Sequence, residues 1–126
     1  MNAYLIDPAA RTISVVNTDF SLQSIYTLLG CSLISTVDVQ ANGDLMFVDD
    51  NVPDGEHEAF RFGVHEIFSK ALIAGTDSEG ESISPKTPIQ IFGAKVCWLG
   101  LKTFEPSVAV FSWEDFNSVW PGSDSN

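Results

Sequence analysis

The chain has few basic residues. Lys and Arg together number six, against 17 Asp and Glu, so the 126 residues carry a formal net charge of −11. Proteins that bind nucleic acid directly, or that dock on anionic membranes by charge, present basic surfaces. We therefore expect neither direct nucleic-acid binding nor electrostatic attachment to a membrane.

Cysteine is almost as scarce, because Cys31 and Cys97 are the two in the chain and neither belongs to a CxxC pair. This excludes a disulfide-dense secreted scaffold. We expect both to be small buried hydrophobic side chains, although one disulfide between them is also compatible with the sequence. The N-terminus lacks the basic and apolar regions of a secretory signal, so the expected location is cytoplasmic.

A long membrane-spanning run is missing as well. Residues 20–37 carry no charge over 18 positions, but seven of them are polar and Gly30 divides the stretch. A transmembrane helix needs about 20 predominantly apolar residues. We predict a helix followed by a strand instead.

The composition that is present is globular, with 44% hydrophobic and 18% charged residues. At this length we expect one domain over residues 1–122 and a frayed tail over 123–126. Residues 3–6 and 12–16 read as an opening hairpin around Asp7-Pro8. Apolar spacing predicts a helix over residues 20–29, with Leu22, Ile25 and Leu29 on its apolar face, Asp19 as its N-cap and Gly30 ending it.

Residues 33–40 alternate like a half-buried strand and lead into Asn42-Gly43, a strong hairpin signal. A two-residue type I′ turn there places Val39 opposite Met46 and Val37 opposite Val48. These four apolar residues then share one face of the sheet.

The remaining pattern mixes short strands with turns. We expect a loop over 49–58, a strand or helical turn over 59–68, a strand over 70–76, a turn over 77–80, a helix opening at Thr87-Pro88, strands over 96–99 and 108–113, and a short helix from Ser112 or Trp113. Together these predict an α+β fold, a mainly antiparallel sheet with two or three short helices in a single compact domain.

Several stretches resemble a known family. They are Leu5-Ile6-Asp7-Pro8 with Arg11-Thr12-Ile13, Ile25-Tyr26 with Leu28-Leu29-Gly30-Cys31, residues 45–50, Phe60-Arg61-Phe62, and Ala74-Gly75-Thr76-Asp77 with Gly80-Glu81. Over residues 3–100 this order is similar to a domain-of-unknown-function family of small proteins from bacteria, phages and plasmids. The resemblance implies a small α+β domain carried on a mobile element, and it implies no activity and no catalytic residues.

Motifs with specific chemistry do not match. A zincin helix needs a second His four residues after His57, where Arg61 stands, and a calcium loop starting at Asp50 places Arg61 at the bidentate Glu position. There is no nucleophile elbow, phosphate-binding loop or dinucleotide fingerprint. We expect no catalytic residue, cofactor or metal, while an irregular calcium site among Asp49, Asp50 and Asp54, or a Cys–His pair, stays open.

The charge pattern is the most informative feature. Residues 38–81 hold eleven acids and two bases. Because several of the acids lie at predicted turns, we expect them to converge at one end of the sheet. The candidate partner-binding residues are Asp49, Asp50, Asp54, Glu56, Glu58, Asp77, Glu79 and Glu81.

Two interpretations of these acids stay open. They can form a solvated surface that aids solubility, or a negative patch that binds a basic protein. The expected function is a non-catalytic interaction module, encoded by a phage or mobile element, that binds a basic host protein or imitates DNA. The alternatives are a self-associating structural protein, with a homodimer left open, and an enzyme of unrecognised chemistry.

Three tryptophans give further aromatic bulk. Of these, Trp98 and Trp113 suit a core, and Trp120 suits either a terminal anchor or a protein contact.

Overall fold

The computed structural model describes residues 1–37 and 40–104. In chain order the described elements are β1 (Asn2–Asp7), β2 (Thr12–Asn17), α1 (Leu22–Leu29), β3 (Ile34–Val37), β4 (Leu45–Asp49), β5 (Gly55–Phe62), β6 (His65–Ile67), β7 (Ala71–Thr76), β8 (Ser82–Ile83), α2 (Ile89–Lys95) and β9 (Val96–Phe104). The predictions for the strand at 108–113, the helix after it, Trp113, Trp120 and the tail fall outside the described residues.

The strands form two antiparallel sheets. The larger has the order β2-β1-β7-β4-β3, with β8 pairing the end of β7, and the smaller has the order β6-β5-β9. Each pairing among the described strands is antiparallel. The predicted α+β class with a mainly antiparallel sheet is therefore confirmed.

The larger sheet lies between two apolar layers. On one face Leu72 of β7 packs with Ile25 and Leu29 of α1. On the other face Ile73 packs with Phe60 and other residues of the smaller sheet and α2. Because successive strand residues point to opposite faces, β7 must be free of charged side chains where both faces are covered; residues 71–75 are all buried, and Thr76 at the end of the strand is half-buried.

Helix α1 begins later than the sequence predicts. Phe20 has φ +60°, which a right-handed helix cannot contain, so the helix starts at Leu22. The N-cap is Ser21 rather than Asp19, because the Ser21 Oγ accepts a hydrogen bond from the Ser24 N–H at 3.2 Å. Gly30 ends the helix at φ +67°, as predicted. Neither helix of the described chain has the length and apolar character needed to cross a membrane.

The predicted register of the central hairpin is wrong by two residues. Val37 lies opposite Met46, whereas the two-residue turn placed it opposite Val48. The Gln40 N–H donates to the Asp44 carbonyl at 2.7 Å, which leaves a three-residue loop. Gly43 alone in that loop has a positive φ, +95°, the pattern of a type I turn followed by a glycine in the left-handed region. Val37, Met46 and Val48 still share the predicted face.

Residues 55–67 form a hairpin, so of the two alternatives for residues 59–68 the strand is right and the helical turn is wrong. The predicted loop is confined to residues 50–54, and β5 starts at Gly55. Phe60 and Phe62 are buried, as their alternation indicates, while Val64 is 90% exposed at the tip of the turn to β6. The apolar residues after Gly63, namely Val64, Ile67 and Phe68, are too few for periodicity to separate a strand from a helical turn.

The later elements follow the sequence more closely. Strand β7 and the turn after it lie where predicted, with the Gly80 N–H donating to the Asp77 carbonyl at 3.1 Å. Helix α2 begins at Ile89, so Pro88 is its N-cap rather than its first residue.

A buried carboxylate joins two distant loops. Asp44 is 0% exposed, and its Oδ1 and Oδ2 accept hydrogen bonds from the Lys86 N–H at 2.9 Å and the Thr87 N–H at 2.8 Å. The Lys86 ammonium donates to the Asn42 and Thr76 carbonyls, both at 3.1 Å. These bonds attach the segment before α2 to the β3–β4 turn.

Candidate functional site

The eight candidate acids lie in two groups at opposite ends of the larger sheet. Strands β4 and β7 run antiparallel, with Val48 opposite Ala71 at one end and Leu45 opposite Ala74 at the other. The first group, called here the loop-end acids, is Asp49, Asp50, Asp54, Glu56 and Glu58. The second group, the turn-end acids, is Asp77, Glu79 and Glu81.

The expectation that these acids converge at one end of the sheet is therefore wrong. At about 3.3 Å per residue, the length of β7 separates the two groups by roughly 20 Å. Charges in solvent at physiological salt are screened beyond about 8 Å. The two groups consequently act as independent patches.

The loop-end acids present largely unneutralised charge. Asp50, Asp54 and Glu56 are exposed, and no described residue forms an ion pair with any member of the group. The carboxylate of Asp49 is half-buried and accepts a hydrogen bond from the Asn51 N–H at 2.8 Å. Glu56 and Glu58 lie on β5 rather than in the predicted loop.

A sixth carboxylate, Asp7, joins the loop-end acids. It ends β1, whose Ile6 lies opposite Ala71, so Asp7 reaches the same end of the sheet. Its Oδ1 accepts hydrogen bonds from the Ala9 and Ala10 N–H groups at 3.1 and 3.3 Å. The sequence indicated only a turn residue here, because no local pattern shows that β1 pairs with a strand so distant in the chain.

A cleft opens between the first hairpin and the smaller sheet at this end. Its volume is about 330 Å³. Carboxylates of Asp7, Glu56 and Glu58 line it, together with one ammonium group, that of Lys70. The other lining residues are Pro8, Ala9, His57, Phe68, Ser69 and Leu101.

One residue that lines this cleft, Glu58, has a carboxylate oxygen that is buried and without a partner among the described residues. Leaving a buried acceptor unsatisfied costs about 1–3 kcal/mol, and more for a charged group. Because Glu56 and Glu58 are two apart on one strand, their side chains leave the same face of β5.

The turn-end acids differ in role. The Asp77 Oδ1 accepts hydrogen bonds from the Glu79 and Glu81 N–H groups, both at 2.9 Å. Asp77 therefore shapes the turn, and the exposed carboxylates of Glu79 and Glu81 carry the charge of this patch.

Most of the described lysines are engaged away from these acids. Lys86 binds backbone carbonyls, Lys95 lies 5.8 Å from the centroid of the Phe62 ring, and Lys102 pairs with Glu66 at 2.6 Å. Lys70 is the lysine that lines the cleft, and the Arg11 Nη2 atom reaches β9 next to Leu101 of that lining, 3.6 Å from where a Cβ atom of Gly100 would stand. The loop-end acids thus keep a net negative charge.

The histidines and the other acids assemble no metal site in the described part of the chain. No group of three His, Cys, Asp or Glu side chains there is placed to hold a metal ion. The His57 Nε2 contacts the Pro53 carbonyl at 2.7 Å, which closes the loop before β5.

The cysteines are both free thiols. Cys31 is half-buried and Cys97 is exposed, so the expectation of a buried side chain is wrong for Cys97. Cys97 lies on the bulged edge strand β9, on the face of the smaller sheet that points away from Phe60. Burial raises the pKa of the Cys31 thiol, and the negative charge of Asp49 raises it further. A raised pKa disfavours the reactive thiolate at this position.

A second cavity, of about 310 Å³, adjoins the cleft through Phe68 and Ser69. Its lining includes Glu66, whose carboxylate already pairs with Lys102. The first cleft, whose lining carboxylates form no ion pair with the described residues, is therefore the stronger candidate site. Comparison with known proteins does not assign it, since no protein-family model, no curated protein and no solved structure matches the chain.

Proposed function

We propose that this protein is a non-catalytic interaction module that binds a basic protein through its loop-end acids. The observation that carries the proposal is the gathering of Asp7 with the five loop-end acids at one end of the larger sheet, opposed by Lys70 and Arg11. These carboxylates come from three strands and the loop that follows one of them. A negative patch of this kind attracts a basic partner and speeds its association.

A basic protein fits this arrangement better than imitation of DNA does. Duplex DNA carries a charge about every 1.7 Å along its axis, in a continuous array. Here the acids form two patches separated by roughly 20 Å of strand. Mimicry of DNA is the sharper but less favoured form of the proposal, and its support is the resemblance to phage and plasmid proteins.

Self-association is the less favoured alternative. Copies that each carry a net charge of −11 repel one another. We propose further that the module is encoded by a phage or mobile element and acts in the cytoplasm of a bacterial host, which the same resemblance favours.

A peptide selection tests the proposal without knowledge of the natural partner. Random displayed dodecapeptides are selected on the wild-type protein and on two charge-matched variants. The first, Asp50→Asn with Asp54→Asn, removes two charges from the loop end. The second, Glu79→Gln with Glu81→Gln, removes two charges from the turn end. All four side chains are exposed, so both variants should fold.

We expect the wild type and the turn-end variant to enrich peptides rich in Arg and Lys, and the loop-end variant to lose that enrichment. If the selected peptides are not basic, or if both variants select them equally, the loop-end acids are not the binding surface. The excess of acidic over basic residues then serves only to keep the protein soluble.

A further inference from the structure

We infer that Asn42 is a self-modification site, whose side-chain amide is lost by spontaneous deamidation at a rate that the fold holds down. The product releases the segment before α2 from the β3–β4 turn. This inference does not depend on the proposed function, because the turn before Leu45 lies at the opposite end of the larger sheet from the loop-end acids.

The reacting groups belong to Asn42 and Gly43, the only asparagine-glycine pair in the chain. The Gly43 backbone nitrogen can attack the Asn42 Cγ atom, because glycine has no Cβ atom to obstruct a close approach. The new N–Cγ bond closes a succinimide ring, the Cγ–Nδ2 bond breaks, and Nδ2 leaves as ammonia with the proton that Gly43 gives up. Water then opens the ring at either carbonyl and leaves aspartate or isoaspartate at position 42. Water is therefore the one co-reactant that the conversion needs.

The turn itself requires this reactive pair. Gly43 has φ +95°, and a Cβ atom there would lie 3.0 Å from the Thr76 carbonyl oxygen, so a side chain is excluded. The Asn42 Oδ1 accepts a hydrogen bond from the Asp44 N–H at 3.0 Å, and its Nδ2 donates to the Thr87 Oγ1 at 2.9 Å. The two residues that build the loop are thus the two that react with each other.

The same contacts restrain the reaction. The peptide group between Asn42 and Gly43 is held at both ends, because its N–H donates to the Gln40 carbonyl at 3.0 Å and its carbonyl accepts from the Lys86 ammonium at 3.1 Å. Ring closure removes the Gly43 proton and the Asn42 Nδ2 atom. The hydrogen bonds to Gln40 and Thr87 cannot survive it, so the reaction must wait for local opening of the turn.

The product does not fit the closed turn. Thr87 contacts both side chains, since its Oγ1 accepts from Asn42 and its N–H donates to the Asp44 Oδ2 at 2.8 Å. A carboxylate at position 42 therefore brings a second negative charge near the buried Asp44, and like charges disfavour each other. Isoaspartate also adds a main-chain methylene to the three-residue loop that the bond from the Gln40 N–H to the Asp44 carbonyl closes. We expect the bonds from Lys86 and Thr87 to Asp44 to weaken.

The test ages the full chain at mildly alkaline pH, folded and in urea, and locates each converted asparagine by peptide mapping with mass spectrometry. A capped peptide of residues 40–44 gives the rate without the fold. We expect Asn42 to convert first in urea, at about the rate of the peptide, and roughly tenfold or more slowly in the folded chain. If another asparagine converts first in urea, the assignment to Asn42 is overturned. Equal rates in the folded chain and the peptide overturn the restraint.

Two variants of Thr87 test the contact with the departing nitrogen. Thr87→Val keeps the shape of the side chain and removes the acceptor, so Asn42 should convert roughly threefold to tenfold faster, the factor for one lost hydrogen bond. Thr87→Ser keeps the hydroxyl and should stay within twofold of wild type. Amide spectra check that both variants fold, and Thr87→Ala replaces Thr87→Val if that variant does not. Equal rates with and without the hydroxyl overturn the restraint by Thr87.

The release of the segment is measured on the converted protein, which its added charge separates from the rest by anion exchange. Amide hydrogen exchange at Lys86 and Thr87 should be roughly fivefold faster, or more, than in unconverted protein. Asn51→Asp adds the same charge at an exposed position in the loop before β5 and should leave the exchange of these two amides unchanged. Unchanged exchange in the converted protein, or equal acceleration in Asn51→Asp, would overturn the release.

Discussion

At the residue scale, the position of Gly75 shows how tightly two segments meet. A Cβ atom at this position would lie 2.5 Å from the Ser84 carbonyl oxygen and 3.2 Å from the Asp44 Oδ1 atom. Neither atom can move away easily, because the Ser84 oxygen belongs to the backbone and the Asp44 side chain is buried. A side chain at this position therefore forces the strand and the following loop apart.

Replacement of Gly75 by alanine should lower the free energy of unfolding by about 1–3 kcal/mol, the usual cost of overpacking. Gly93→Ala is the matched control, because its Cβ would meet only the Ile13 Cδ1 atom at 3.6 Å. In helix α2 that change should stabilise by roughly 0.5–1 kcal/mol. Urea unfolding of both variants measures the difference. Equal midpoints for Gly75→Ala and wild type would contradict the close approach.

The Asp44 carboxylate gives a second test at this scale. Asp44→Ala removes the acceptor of the Lys86 and Thr87 N–H groups, and each unsatisfied donor costs about 1–3 kcal/mol. Asp44→Asn keeps one acceptor oxygen and should cost less. Amide hydrogen exchange at Lys86 and Thr87 should accelerate in both variants. Unchanged exchange in Asp44→Ala would show that the carboxylate does not hold the loop.

At the scale of elements, helix α1 covers one face of the larger sheet through a narrow apolar stripe. Ile25 and Leu29 are 3% and 5% exposed, while Leu22 in the same helix is 58% exposed. The predicted stripe of all three residues is therefore right for two of them. Leu22 differs because it is the first residue of the helix and lies at the margin of the sheet.

Replacing each leucine by alanine distinguishes the buried position from the exposed one. Leu29→Ala should lower the free energy of unfolding by about 2–5 kcal/mol, the range for a buried leucine. Leu22→Ala makes the same chemical change at an exposed site and should cost less than about 1 kcal/mol. Thermal or urea unfolding measures both. Comparable losses in the two variants would show that α1 packs through another face.

Local patterns predicted the elements well and their partners poorly. The opening hairpin, the end of α1 at Gly30 and the turn at Asp77 each depend on residues close in sequence, and each is present. The register of the central hairpin was wrong in part because Asn42-Gly43 fits both a two-residue and a three-residue loop, which accounts for one of the two residues of the shift. The start of β5 at Gly55 was missed because polar residues also occupy an exposed strand that pairs with β9.

The candidate site could be predicted only in its composition. The sequence identifies five of its carboxylates, because they cluster between residues 49 and 58. It does not place Asp7 or Lys70 beside them, since that depends on the pairing of β1 and β4 with β7. For the same reason, the sequence does not show that the turn-end acids lie at the opposite end of the larger sheet from the loop-end acids.

At the scale of the whole molecule, the sheet order divides the acidic segment of the sequence between the two ends of the larger sheet. The loop end carries six carboxylates and a cleft, and the turn end carries a smaller acidic patch. A basic partner should therefore approach the loop end of the molecule. Its association, rather than its dissociation, should depend on salt.

The most direct test is the association rate of a selected basic peptide, measured by stopped flow with the wild type and the two charge-matched variants. Between about 0.01 M and 0.15 M salt the screening length falls from roughly 30 Å to 8 Å. The wild-type and turn-end (Glu79→Gln, Glu81→Gln) rates should fall about tenfold or more over this range. The loop-end variant (Asp50→Asn, Asp54→Asn) should associate more slowly at low salt and lose much of this dependence. Equal rates and equal salt dependence in all three proteins would contradict the account.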